Sequence, residues 1–127
     1  MDLNDLKMDK KKETEGAWFE VDKDTKLLIA RANNKKYLEC FRKLQKPYLS
    51  KIRRGTIDNA KYEQWQREAH ANCILLGWEG LKENGVPLEY SVAKAIEIFE
   101  EIPDFLDTVM LLSQDMASYK AEMAADT

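Results

Sequence analysis

Three groups of side chains in this 127-residue sequence are of types that do chemistry. His70 and Cys73 lie three residues apart, so on a helix they share a face, as metal ligands often do. A stable zinc site takes four protein ligands, or three and a water. The chain holds one His and two Cys in all, the other being Cys40, so these groups are expected to pack and to bind no metal or cofactor. Glu100, Glu101, Asp104 and Asp107 offer carboxylate pairs. A catalytic acid needs burial or a coupled charge to shift its pKa, and these acids fall opposite an apolar stripe, on a solvated face. No Ser stands in a nucleophile elbow, no phosphate loop is present, and the glycines lack dinucleotide spacing. A non-enzyme is expected. The third group is basic: Lys43, Lys46, Lys51, Arg53 and Arg54 interleave with Tyr37, Phe41 and Tyr48. Cations beside aromatics can hold single-stranded nucleic acid by phosphate contacts and stacking. These aromatics, however, step with Leu44 and Ile52 along one helical stripe, which directs them to the core.

Charge is distributed unevenly around that basic segment. Residues 1–30 sum to −2, residues 31–67 to +8 and residues 68–127 to −9, for a net −3. Such asymmetry can draw the two ends of a monomer together, or one copy to the next, or the chain to a partner of opposite sign. The length fits one domain with a sizeable core. With 34% charged and 44% apolar residues the composition is that of a soluble globular protein, and two cysteines are too few for a disulfide framework. No apolar run reaches the ~18–20 residues of a membrane span, and the first thirty residues hold no signal-peptide core. The expected location is the cytoplasm.

The elements that must position these groups change period near Asn34. Residues 1–15 are polar and predict a flexible N-terminal arm before a single domain over 16–127. Gly16 to Val21 and Leu27 to Ala30 flank an Asp-rich break and predict a β-hairpin at about 17–31. Helices follow, over about 34–123. Tyr37, Phe41, Leu44, Tyr48 and Ile52 form the first stripe, with Asn33 or Asn34 as N-cap and a kink at Pro47. A second helix, carrying Tyr62, Trp65, Ala69, Asn72 and Leu76, runs from Thr56 or Asp58 to about Gly77. Residues 77–90 read as one long irregular stretch with a tight turn at Asn84-Gly85. Ser91 caps a short helix, and Pro103 opens a last one whose seam is Phe105, Val109, Leu112, Met116, Tyr119 and Met123. The expected fold is mainly α (α+β): a short hairpin followed by a bundle of four or five helices.

The order of several phrases is more specific than any one of them. Cys73-Ile74-Leu75-Leu76-Gly77-Trp78-Glu79-Gly80-Leu81 is followed by a Gly85-Val86-Pro87-Leu88 loop, by Tyr90-Ser91 opening a helix, and by Ile102-Pro103-Asp104-Phe105. Upstream stand Gly16-Ala17-Trp18, a second strand ending Ile29-Ala30-Arg31, and an Asn-rich lead into a helix through Tyr37. Over residues 16–119 this order resembles the tail assembly chaperones of long-tailed bacteriophages. The resemblance implies a non-enzymatic protein of the host cytoplasm. It would bind the tape measure protein, recruit tail tube protein and be absent from the mature virion. The alternatives are another phage tail structural or completion adaptor, or a small nucleic-acid-binding regulator using the basic segment 42–54.

A Met-containing seam suits helical clients of imperfect register. Trp78, Tyr90, Leu112, Met116, Tyr119 and Met123 are therefore the candidate partner-interface residues, and self-association is expected from the charge asymmetry. Membrane is not among the expected partners, and nucleic acid stands behind protein.

Overall fold

The computed structural model describes residues 1–120. Its first paired element is the expected hairpin. Strand β1 (Ala17–Glu20) runs antiparallel to β2 (Lys26–Ile29), with Phe19 opposite Leu27 and Trp18 opposite Leu28. No glycine is needed in the turn, because the Asp22 carboxylate accepts the Asp24 N–H at 2.9 Å and closes it locally.

The other edge of β2 takes a strand from much later in the chain. Strand β3 (Leu75–Glu79) pairs antiparallel with it, Trp78 opposite Leu27 and Gly77 opposite Leu28, giving the sheet order β1-β2-β3. The helix expected to reach Gly77 thus ends at Cys73. A short apolar run suits a buried helix turn and a buried strand equally, and pairing with β2 decides the matter. The stretch expected to be irregular over 77–90 is also ordered. It completes β3 and then forms a small hairpin of β4 (Lys82–Glu83) and β5 (Val86–Pro87). Asn84 and Gly85 turn that hairpin with φ of 52° and 77°, the left-handed pair that a two-residue loop requires.

Residues 1–15, expected from their polarity to be a flexible arm, carry two short helical segments and main-chain contacts to the rest of the fold. A 3-10 turn (Leu3–Leu6) precedes helix α1 (Lys10–Glu15), which Asp9 caps. Met8 bridges to Lys120, the Asp9 N–H donates to the Tyr119 carbonyl at 2.8 Å, and the Arg31 N–H donates to the Glu13 carbonyl at 2.9 Å. Main-chain hydrogen bonds hold residues 8–15 where side-chain burial alone would not.

After the hairpin come six α-helices among the described residues. Helix α2 (Lys35–Gln45) starts at Asn34, whose side-chain Oδ1 accepts the Tyr37 N–H at 3.0 Å. Pro47 falls in a 3-10 turn (Lys46–Tyr48) that separates α2 from α3 (Leu49–Arg53). Helix α4 (Asn59–Cys73) is capped by Asp58, α5 (Val92–Glu101) by Ser91, and α6 (Pro103–Ser113) opens on its proline. The seam expected to continue to Met123 stops at Gln114. The Asp115 carboxylate accepts the Ala117 N–H and starts a separate short helix, α7 (Met116–Tyr119).

Phe19, Leu27, Ile29, Leu75 and Trp78 of the sheet close on Ala71 and Ile74, on Ala95, Ile98 and Phe99, and on Val109 and Tyr119. Helix α4 lies between α2 and α5, and α6 packs on α5 and β2. The result is a mixed helix-and-strand fold in which α2 touches the main core through Tyr37. Among the described residues no helix is long and apolar enough to cross a membrane.

Candidate functional site

Helices α2 and α3 form an arm with no buried side chain. Its apolar stripe lies along α4, and the meeting is aromatic. Phe41 stands edge-on to Tyr62 and Trp65 at ring-centroid separations of 5.7 and 6.3 Å, and Tyr48 lies 5.5 Å from Trp65. Lys61 Nζ sits 4.5 Å above the Tyr48 ring. Tyr37, Phe41 and Tyr48 thus face protein, as the stripe predicted, and their faces are engaged by one another and by α4. Base stacking would need them free.

The outer side of the arm is cationic. Arg42, Lys43, Lys46, Lys51, Arg53 and Arg54 are all exposed, and none has an ion-pair partner among the described residues. Between them lies an open groove of about 570 Å³, lined by Glu39, Arg42, Lys43, Gln45, Lys46 and Leu49. Its walls are mostly apolar, since Arg and Lys present their methylene stems and send their charges to water. Leu49 remains 46% exposed, and Leu38, on the preceding turns, 42%. The basic residues were visible in the sequence. Leu38 and Leu49 were not singled out, although each falls one position off the Tyr37–Phe41–Tyr48 stripe, which is the signal that they face outward.

Polar groups, buried at His70 and half-buried at Tyr37 and Cys73, also anchor the arm to α4. His70 is packed edge-on to Tyr37 at 5.0 Å, and its Nδ1 lies 2.8 Å from the Gln66 carbonyl, to which it donates as the neutral ring. Burial lowers its pKa. Cys73 Sγ donates to the Lys36 carbonyl at 3.5 Å, and burial, with the neighbouring Cys40, pushes its thiol up to about 11. Tyr37 is pushed up to about 12, chiefly by burial. At neutral pH these thiol and phenol groups keep their protons, which suits packing rather than nucleophilic attack. The described residues contain no cluster of three or more His, Cys, Asp or Glu able to hold a metal.

The carboxylates lie where α5, packed on α4, gives way to α6. Glu100, Glu101, Asp104 and Asp107 project from the corner between α5 and α6, all exposed. Arg67 reaches Glu100 at 3.9 Å.

The expected partner-interface residues scatter. Trp78 is a clamp: its indole N–H donates to the Leu88 carbonyl at 2.9 Å, and its ring meets Tyr90 at 5.0 Å and 82°. The Tyr90 hydroxyl donates to the Leu75 carbonyl at 2.7 Å, tying the small hairpin to β3. Phe105 packs on Phe99, Val109 is buried, and Leu112 lies against the core. Tyr119 is fully buried, its hydroxyl donating to the Ile29 carbonyl at 2.7 Å. The break at Gln114–Asp115 turns this residue inward, so it serves the monomer's core rather than a surface. Met116 is exposed, and Met123 lies outside the described residues.

The profile of the YdaY prophage protein family matches residues 32–127. That stretch covers three quarters of the chain, including the arm, β3 and every helix of the main core, and the chain belongs to this family. It is a phage-derived protein. No curated protein and no solved structure matches it.

Proposed function

We propose that this prophage protein is a tail assembly chaperone that holds helical segments of the tape measure protein on its α2–α3 arm. The family supports a phage role, and the order of phrases from Gly16 to Phe105 supports tail assembly. The observation that carries the binding mode is the arm itself. It buries none of its side chains, keeps Leu38 and Leu49 in water, and surrounds its groove with unmatched cations. An apolar floor with a charged rim is how a helix-in-groove site reads. The seam of α6 is spent on the core, so the arm replaces it as the client surface.

The test is co-expression with the tape measure protein encoded by the same prophage. The wild-type chain keeps that protein in the soluble fraction and is retained with it on affinity resin. The double variant Leu38→Asp, Leu49→Asp, folded by circular dichroism, loses both effects. A tape measure protein that stays insoluble beside the wild-type chain overturns the proposal. Retention of nucleic acid instead, sensitive to nuclease, favours a regulator using the basic segment.

A further inference from the structure

We infer that the arm of one copy receives the α5–α6 corner of another, so that free protein associates through its own opposed charges. This rests on reading the arm as a helix-binding surface, and it names a second occupant for it. The two surfaces are complementary in charge and in apolar content. On the arm, Arg42, Lys43 and Lys46 rim the groove and Leu49 forms part of its floor. At the corner, Asp104, Asp107 and Leu111 recur at spacings of three and four and share one face of α6. Glu101 and Ile102 stand beside them at the end of α5. Ile102 is 50% exposed and Leu111 71%, the largest apolar exposures on the core helices.

The monomer does not satisfy these groups internally. Glu101, Asp104 and Asp107 have no ion pair among the described residues, and neither do Arg42, Lys43 and Lys46. The arm packs along α4 from Tyr62 to Cys73, while the corner is tied to α4 through Arg67 and through α5. Two patches of opposite sign, neither of them ion-paired within the monomer, can satisfy each other between copies. Nucleic acid fits the groove less well, because its phosphates would leave Leu49 uncovered and the arm's aromatic faces are already taken. Contact between copies also occupies the client groove, so client binding and self-association exclude one another. A client that binds the arm therefore releases single copies.

The experiment is sedimentation velocity on the purified full chain, with nuclease treatment, at about 0.05 M and about 0.5 M NaCl, where the screening length shortens severalfold. Association at low salt, weakened roughly tenfold or more at high salt, is expected from several partly exposed charge pairs acting together. Two variants sharpen it: Lys43→Glu with Lys46→Glu on the arm, and Glu101→Lys with Asp107→Lys at the corner. Each alone is monomeric, and the mixture of the two associates again, since each supplies the surface the other reverses. Wild-type protein that is monomeric at both salts overturns the inference. So does association that survives both variants or that nuclease abolishes. A monomer that still holds the tape measure protein soluble would sink this contact alone, leaving the arm as client site. Self-association without any client effect would sink the proposed function alone.

Discussion

Tyr119→Phe tests whether the end of the described chain is part of the core or part of a surface. The substitution keeps the ring and removes one hydroxyl, which donates at 2.7 Å to the carbonyl of Ile29, ninety positions earlier in the sequence. Both residues are fully buried, so water cannot replace the lost donor without entering the core. Leaving a buried acceptor unmade costs about 1–3 kcal/mol. For a chain of 127 residues, unfolding entropy near the midpoint is roughly 0.27 kcal/mol/K, so Tm falls by about 4–11 °C. The assay is thermal unfolding followed by near-ultraviolet circular dichroism, with Met116→Ala as the comparison. Met116 is exposed, and its replacement stays within about 0.5 kcal/mol of wild type. A Tyr119→Phe variant that melts within about 1 °C of wild type would refute the reasoning.

Gly80 has φ of 78°, and a Cβ there would run into the backbone carbonyl of Asp24. Gly80→Ala is expected to destabilise by more than about 1 kcal/mol, read as a lowered urea midpoint at unchanged slope, and an unchanged midpoint would contradict this. Asn34→Ala removes the cap of α2 together with side-chain donation to the Arg31 and Cys73 carbonyls. A loss of about 1–2 kcal/mol is expected, whereas Asn34→Asp keeps the cap but not the donors and falls between. His70 is buried as the neutral ring with its pKa lowered from 6.5. The unfolded chain therefore binds the extra proton first, and stability that is full above about pH 6.5 declines as pH falls below it. Urea midpoints that hold steady or rise from pH 7 to pH 5 would count against that burial.

Local signals in the sequence were read well where side chains act on their own backbone. Asn34, Asp58, Ser91 and Pro103 each start a helix because capping and proline geometry are settled within a few residues. Asn84-Gly85 turns a hairpin for the same reason. What escaped depends on partners distant in sequence. Leu75 to Glu79 continue the apolar pattern of α4, and only the free edge of β2 makes them a strand. The spacing of Phe105, Val109, Leu112, Met116 and Tyr119 also passes through the break at Asp115 without a missed step. A cap inside a regular stripe separates two helices, and periodicity alone does not register it. Of the candidate site, the cations were legible by composition, while the two leucines among them were masked by the stronger aromatic stripe. Trp78 and Tyr90 look like surface aromatics in a loop until their hydrogen bonds are seen.

The fold closes late. Leu27 and Ile29 lie at the centre of the core, yet their partners are Leu75 and Trp78 and finally Tyr119. At about 5–20 residues per second of synthesis, the ninety positions between Ile29 and Tyr119 take about 5–18 s to emerge. Helices form in microseconds, so the α2–α4 pair is complete while the hairpin's inner face still waits for its cover. During that interval the nascent chain offers an unfinished sheet edge at β2, the kind of edge on which strands from other chains add. A protein whose proposed task is to keep another chain soluble must therefore first pass through a stage of being a client itself.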